Sequence, residues 1–118
     1  MKSRIVSVIL SVCLLCQISF AEYCAFLADV KCGETTTLAL DDSNNLWSCG
    51  SSNIYALGLG DIQGEVLSLQ RVKGINGNGY LNNIISFDAG WYHSLAVTSD
   101  GLCLAWGSND NSYGLLGK

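Results

Sequence analysis

Between Ile85 and Gly117 the chain alternates apolar and polar residues three times in succession, with Gly and polar residues between the runs. Ile85, Phe87 and Ala89 alternate with Ser86 and Asp88; Leu95 and Val97 with Ser94, Ala96 and Thr98; Leu102, Leu104 and Trp106 with Cys103 and Ala105. A period of two puts successive side chains on opposite faces of a strand, so each run predicts a short β-strand. Asp100-Gly101 between the second and third runs predicts a type I′ hairpin turn, which needs positive φ at both central residues. The stretch is thus expected to be a three-stranded antiparallel meander.

The stretch occurs once more, earlier. At an offset of 57, Gly33 falls on Gly90, Leu38 on Leu95, Ala39 on Ala96, Gly50 on Gly107, Ser51 on Ser108, Leu59 on Leu116 and Gly60 on Gly117. Leu40 falls on Val97, and Asp42-Ser43-Asn44 on the Ser99-Asp100-Gly101 turn. Sparse identity that keeps turns and alternation in register marks an internal repeat, and periods of this length belong to propellers and solenoids.

Gly90-x-x-His93-Ser94-Leu95-Ala96-Val97-Thr98-x-Asp100-Gly101, Ala105-Trp106-Gly107-Ser108-Asn109 and Tyr113-Gly114-Leu115-Leu116-Gly117 resemble the repeat of the regulator of chromosome condensation family. Arg71-Val72-Lys73-Gly74 and Ile84-Ile85-Ser86-Phe87 resemble its lead-in. The resemblance runs over Val30 to Gly117. The first copy departs from it at Thr36, where the repeat usually has His, at Cys49 (an aromatic) and at Ala56 (Gly). The resemblance implies an all-β protein of β-propeller-type blades, four antiparallel strands each, with sequence for about two of the usual seven, an incomplete propeller. It also gives Gly33, Gly50, Gly90, His93, Gly101, Trp106, Gly107, Gly114 and Gly117 structural roles in the repeat.

Residues 1–21 predict a cleaved signal peptide. Lys2 and Arg4 precede an apolar run from Ile5 to Phe20, and Ser19-Phe20-Ala21 sets small residues at −3 and −1 of a cleavage site. The run holds three Ser and a Gln and falls short of the ~20 apolar residues that span a bilayer. The expected organisation is then an N-terminal lead at 22–29, a first repeat at 30–61, a connecting strand and Gly/Asn-rich loop at 62–83, and a second repeat at 84–118. Secretion is expected, with no membrane association after cleavage.

Beyond residue 21 only Lys31, Arg71, Lys73 and Lys118 are basic, against ten acidic residues, a net of −6. The basic patch of a nucleic-acid binder is missing, and no nucleic-acid partner is expected. Four cysteines remain: Cys24, Cys32, Cys49 and Cys103. An even count in a short secreted chain predicts disulfides, of three possible connectivities. In a simple meander the strands of Cys32 and Cys49 are separated by a third, ~9.6 Å apart, beyond the ~7 Å limit for a bridge. At least one bridge from Cys24 is expected, none between Cys32 and Cys49, and Cys103 is the residue expected to stay free. No Cys-x-x-Cys pair remains after cleavage to support zinc.

Motifs that carry chemistry are weak. His93 with Cys103 is the minimum for a thiol hydrolase, but no orienting third group is visible. Gly58-x-Gly60 and Gly77-x-Gly79 open no helix and read as turns rather than phosphate loops. Asp41, Asp42 and Asp61 lack the spacing of a calcium loop. Trp47 and Trp106 read as core by alternation. Trp91-Tyr92, beside Gly90 at a blade edge, is the candidate contact surface. One face of each blade is expected to be large (Leu38, Leu40, Leu95, Val97) and the other small (Ala39, Ser48, Ala96, Ala105), both open on a two-blade unit.

No cofactor and no enzymatic activity are expected. The family's best-known activity, nucleotide exchange on a small nuclear GTPase docked on chromatin, is opposed by the signal peptide, the net charge of −6 and the two repeats. The reading is a secreted protein–protein interaction module that binds a partner or self-associates head to tail to complete its blades. The alternatives are an extracellular inhibitor or ligand-binding module, since the family includes a secreted bacterial enzyme inhibitor, and part of a longer propeller.

Overall fold

The computed structural model describes residues 27–52, 55–62, 64–108 and 116–117. The signal-peptide stretch, Cys24 and Gly114 lie outside the described residues. Among the described residues seven strands form: β1 (Leu27–Cys32), β2 (Thr36–Asp41), β3 (Leu46–Ser51), β4 (Glu65–Arg71), β5 (Ile84–Ala89), β6 (His93–Thr98) and β7 (Cys103–Gly107). The first four make one sheet in the order β1-β2-β3-β4; the last three make a second, β5-β6-β7, and every pairing is antiparallel. Leu27, Ala28 and Asp29, expected in the N-terminal lead, thus belong to the first sheet. Its fourth strand, β4, comes from the connecting segment and pairs with β3. Gly74 to Asn83 carries a short 3-10 turn at Ile75–Gly77 and otherwise loop.

The hairpin at Asp100-Gly101 forms, but the turn is not type I′. Thr98 N–H donates to Leu102 C=O and Gly101 N–H to Thr98 C=O, each at 2.9 Å. In this three-residue loop Gly101 alone takes positive φ, at 87°. A tight turn followed by one left-handed residue suits the strand twist as a primed turn does. The first sheet repeats the device with Asn44 at φ 61°, Asn being the side chain best able to take that conformation after Gly. The offset of 57 therefore aligns the two loops as expected.

A second correction concerns the faces. Residues directly opposite on paired strands share a face. Ser94 lies opposite Trp106 and Ala96 opposite Leu104, whereas Leu95 lies opposite Ala105 and Val97 opposite Cys103. In the first sheet Leu38 lies opposite Ser48 and Ala39 opposite Trp47. Each face therefore mixes large with small. Bulk on one strand is matched by its absence on the next, so large side chains of one sheet can seat against small ones of the other.

The sheets close face to face. Leu38, Leu40 and Leu46 of the first meet Ile84, Phe87 and Ala96 of the second, with Val72 and Leu81 from the connection, in one buried cluster. Leu38, Leu46 and Ile84 are fully buried. At about 1.5–3 kcal/mol for each such side chain, this seam is the main source of cohesion. Leu38 and Leu40 are thus not on an open face, contrary to expectation; they form the seam. Ala39 is buried as well.

Candidate interaction faces

A short segment between β3 and β4 is clamped between the sheets. The Ala56 carbonyl accepts two hydrogen bonds from the second sheet, from Ser94 Oγ at 2.8 Å and Trp106 Nε1 at 2.9 Å. The next carbonyl, Leu57, accepts Ser48 Oγ of the first sheet at 2.7 Å. Ser48 and Ser94 are fully buried, and a buried hydroxyl is costly unless bonded. Each of these serines is satisfied by a backbone carbonyl that two adjacent apolar residues carry into the seam. Gly58 lets the segment turn: its φ is 66°, and a Cβ there would stand 2.7 Å from Trp106 Nε1. Trp106 is a half-buried seam residue, as alternation placed it. The sequence marked Ser48 only as small and Ala56 only as a departure; the signal passed over was an isolated Ser on an apolar strand face.

The signature glycines occupy equivalent positions. Gly50 and Gly107 take φ 119° and 118°, and a Cβ on either would meet the backbone at the start of the preceding strand, Thr35 O at 2.2 Å or Tyr92 O at 2.4 Å. Gly90 leaves room for the His93 ring, which a Cβ would approach to 2.8 Å. Gly33 backs onto the Gly90 carbonyl, joining the two equivalent loops; Gly117 has φ 76°. His93 pairs with Gly107 and Cys103 with Val97, so His93 and Cys103 stand four residues apart along the hairpin, ~13 Å. The structure does not bring them together.

Cys32, Cys49 and Cys103 are free thiols, so the expected disulfide framework is not formed among the described residues. Cys32 and Cys49 flank Thr37 in the ladder, one strand too far apart for a bridge. The Thr37 hydroxyl contacts Cys32 Sγ at 4.0 Å. Burial pushes the Cys49 thiol up, the Thr37 hydroxyl opposes this, and the neighbouring Cys32 adds to it. Cys103 is exposed on the face away from Leu104 and Trp106.

Three of the outward surfaces among the described residues carry residues that the sequence singles out. On the second sheet Leu95, Val97, Cys103 and Ala105 form the far face. With Ile85 of β5, Asp29 and Lys31, part of it lines a 450 Å³ cleft. On the first sheet Val30, Thr37, Trp47 and Cys49 form the far face around the buried Ala39. Trp47 is half-buried there, its Nε1 donating to Asp41 Oδ2 at 2.9 Å. Trp91 and Tyr92 project from the β5–β6 loop, 68% and 46% exposed, edge to face with centroids 6.3 Å apart.

Two antiparallel sheets related by one offset, the Leu38 face of the first stacked on the Ala96 face of the second, define the class: β-propeller-type blades. The regulator of chromosome condensation (RCC1) repeat matches residues 27–55 and 84–114, and in a second form 43–97. The chain belongs to the RCC1 repeat family. It is 36% identical over 94 residues to the Arabidopsis thaliana RCC1 domain-containing protein RUG3, mitochondrial, covering 78% of this chain and 19% of that one. Among solved structures, human WBSCR16 superposes with a TM-score of 0.61 at 28% identity, over 71% of this chain and 20% of that one. Yeast RCC1 (Prp20), seen bound by Kap60, superposes with a TM-score of 0.51 at 26% identity, over 70% and 20%. The chain spans about a fifth of the length of these relatives.

Proposed function

We propose that the chain is a non-enzymatic protein-interaction module that stacks head to tail with a second copy, the far face of the second sheet of one copy on the far face of the first sheet of the next. One observation carries this. Leu95 and Val97 are the repeat equivalents of Leu38 and Leu40, which the seam between the two sheets buries. Val30 likewise is the equivalent of Phe87, a seam residue, yet stands 46% exposed. The seam inside the molecule is the template for the contact outside it, and because the two outer faces differ the contact is heterologous. That yeast RCC1 is seen bound by Kap60 supports a protein partner for this kind of scaffold.

Light scattering on the full chain at micromolar concentration is expected to give species larger than a monomer. Leu95→Asp and Val30→Asp each block one of the two faces in every copy, so each variant alone is expected to be monomeric. Mixed one to one, they retain one complementary pair of faces and are expected to form a heterodimer. A monomeric wild-type chain, or a mixture that stays monomeric, would refute the stacking and leave a different partner class to be sought. We further propose that the module is secreted, on the strength of the Lys2–Ala21 stretch; N-terminal sequencing of the exported protein should begin at Glu22, and a membrane-bound form starting at Met1 would contradict it.

A further inference from the structure

Arg71 and Lys73 are two of the four basic residues beyond residue 21 in a strongly acidic chain. Lys31, a third, is paired with Asp29 at 3.5 Å. Arg71 and Lys73 have no ion pair among the described residues. Instead they share an aromatic ring. The Arg71 guanidinium stands 5.1 Å from the centre of Tyr80 and 5.5 Å from that of Trp47, and Lys73 Nζ stands 4.7 Å from Tyr80. Arg71 Nη2 donates to Asn45 Oδ1 at 2.9 Å and to Leu81 C=O at 3.4 Å, which fixes the guanidinium in place. Its Nε–H is buried without an acceptor among the described residues. Ring faces steady a cation without neutralising it. Two cations on one ring, neither in an ion pair among the described residues, therefore leave a local positive field in an acidic protein, which an anion offsets.

Both cations line one cleft of 190 Å³, together with Trp47, Leu59, Ile62 and Tyr80. That volume is below the ~300–1,000 Å³ of pockets for whole small-molecule ligands. It suits one side chain. The wall chemistry is mixed, apolar and aromatic with two cations at one side. We infer that this cleft is an anion-binding site for a carboxylate of a partner's acidic peptide segment, with Arg71 and Lys73 holding the charge and Trp47, Tyr80 and Ile62 the apolar stem. Trp47 and Arg71 belong to the first-sheet far face that stacking would cover, so the test uses a free peptide and the Leu95→Asp chain, in which that face stays open.

The probe is an acetylated, amidated Phe-Glu-Asp-Glu peptide, with the Phe-Gln-Asn-Gln peptide and inorganic phosphate as comparators. Binding to the full-length Leu95→Asp chain, whose first-sheet face no second copy covers, is followed through the Trp47 indole N–H signal in ¹⁵N-resolved NMR. The acidic peptide is expected to shift that signal saturably and the amide peptide to leave it in place. Lys73→Gln, at a half-buried side chain with no hydrogen bond to the described fold, is expected to weaken binding about tenfold, and Arg71→Gln at least as much. The far-ultraviolet spectrum of each variant checks that it is folded. Equal shifts with acidic and amide peptides, or undiminished binding by Lys73→Gln, would overturn the site. Phosphate binding as tightly as the peptide would overturn the assignment to a peptide carboxylate.

Discussion

The two sheets share one backbone plan and differ at the positions that receive a neighbour. In the second sheet Ser94 and Trp106 together hold the Ala56 carbonyl, and the seam is closed. The equivalent positions in the first sheet are Thr37 and Cys49, and they spend their polar groups on each other and on Cys32. A hydroxyl and an indole N–H converge on one carbonyl in one blade; a hydroxyl and two thiols form a ladder in the other. A shared three-strand plan therefore does not give identical face chemistry. The far face of the first sheet presents other polar groups than the equivalent seam face of the second.

The sharpest way to break the comparison is to remove the indole. Trp106→Ala deletes a seam side chain and one of the two donors to Ala56. It is expected to cost about 3 kcal/mol, against the roughly 5–15 kcal/mol total of a typical domain. A thermal melt should fall by more than ~10 °C for a unit of this size. An unchanged melt would mean the seam does not depend on Trp106. Next comes the serine pair. Ser48→Ala leaves the buried Leu57 carbonyl without that donor, whereas Ser94→Ala leaves Ala56 its bond to Trp106. Ser48→Ala should therefore cost about 1–3 kcal/mol and Ser94→Ala about 1 kcal/mol, read as the shift in denaturant midpoint. The reverse ranking would show that the two carbonyls are not held as described.

The hairpin turns offer a third test. Asp41 stands where the second sheet has Thr98. Burial alone would raise the Asp41 carboxyl, but hydrogen bonds from Trp47 Nε1, from the Asn45 backbone and side chain and from the Ser43 N–H outweigh it and hold it below its ordinary 3.8. A depressed carboxyl stabilises the fold above its unfolded-state value and loses that contribution as pH falls through the lower, folded value. Stability should thus drop as pH is taken below about 4. Asp41→Asn should cost about 0.5–1 kcal/mol at pH 7, a small figure because water screens a carboxyl at the surface, and flatten the Asp41 part of that acid profile. An unaltered profile would mean another group carries it. The smallest effect is expected at the exposed aromatic pair: Trp91→Ala should change stability by less than ~0.5 kcal/mol. A loss as large as that of Trp106→Ala would place Trp91 in the core.

Much of this is legible in the sequence. Alternation located β2, β5, β6 and β7, and the offset of 57 aligned both hairpin loops and the Gly50–Gly107 pair. Alternation reads both Trp47 and Trp106 as core, but only Trp106 lies against the seam, while Trp47 is half-buried on the far face of the first sheet. The turn class at Asp100-Gly101 was not legible, because Asp-Gly serves both a two-residue primed turn and a longer loop in which Gly alone is left-handed. The cluster of Trp47, Arg71, Lys73 and Tyr80 was not legible either. Arg71 and Trp47 come together only because β3 and β4 pair in a register that sets them opposite, across a long loop whose length a local pattern does not encode.

By itself the sequence determined the strands, their turns, the repeat and the family, because each rests on neighbours within a few residues or on a fixed offset. Which face of each strand is covered was decided only by the tertiary structure. A period of two separates two faces but does not say which one meets another sheet. Leu38 and Leu95 carry the same side chain at the same repeat position, and the first is buried while the second is 38% exposed, because one has a sheet stacked over it and the other does not.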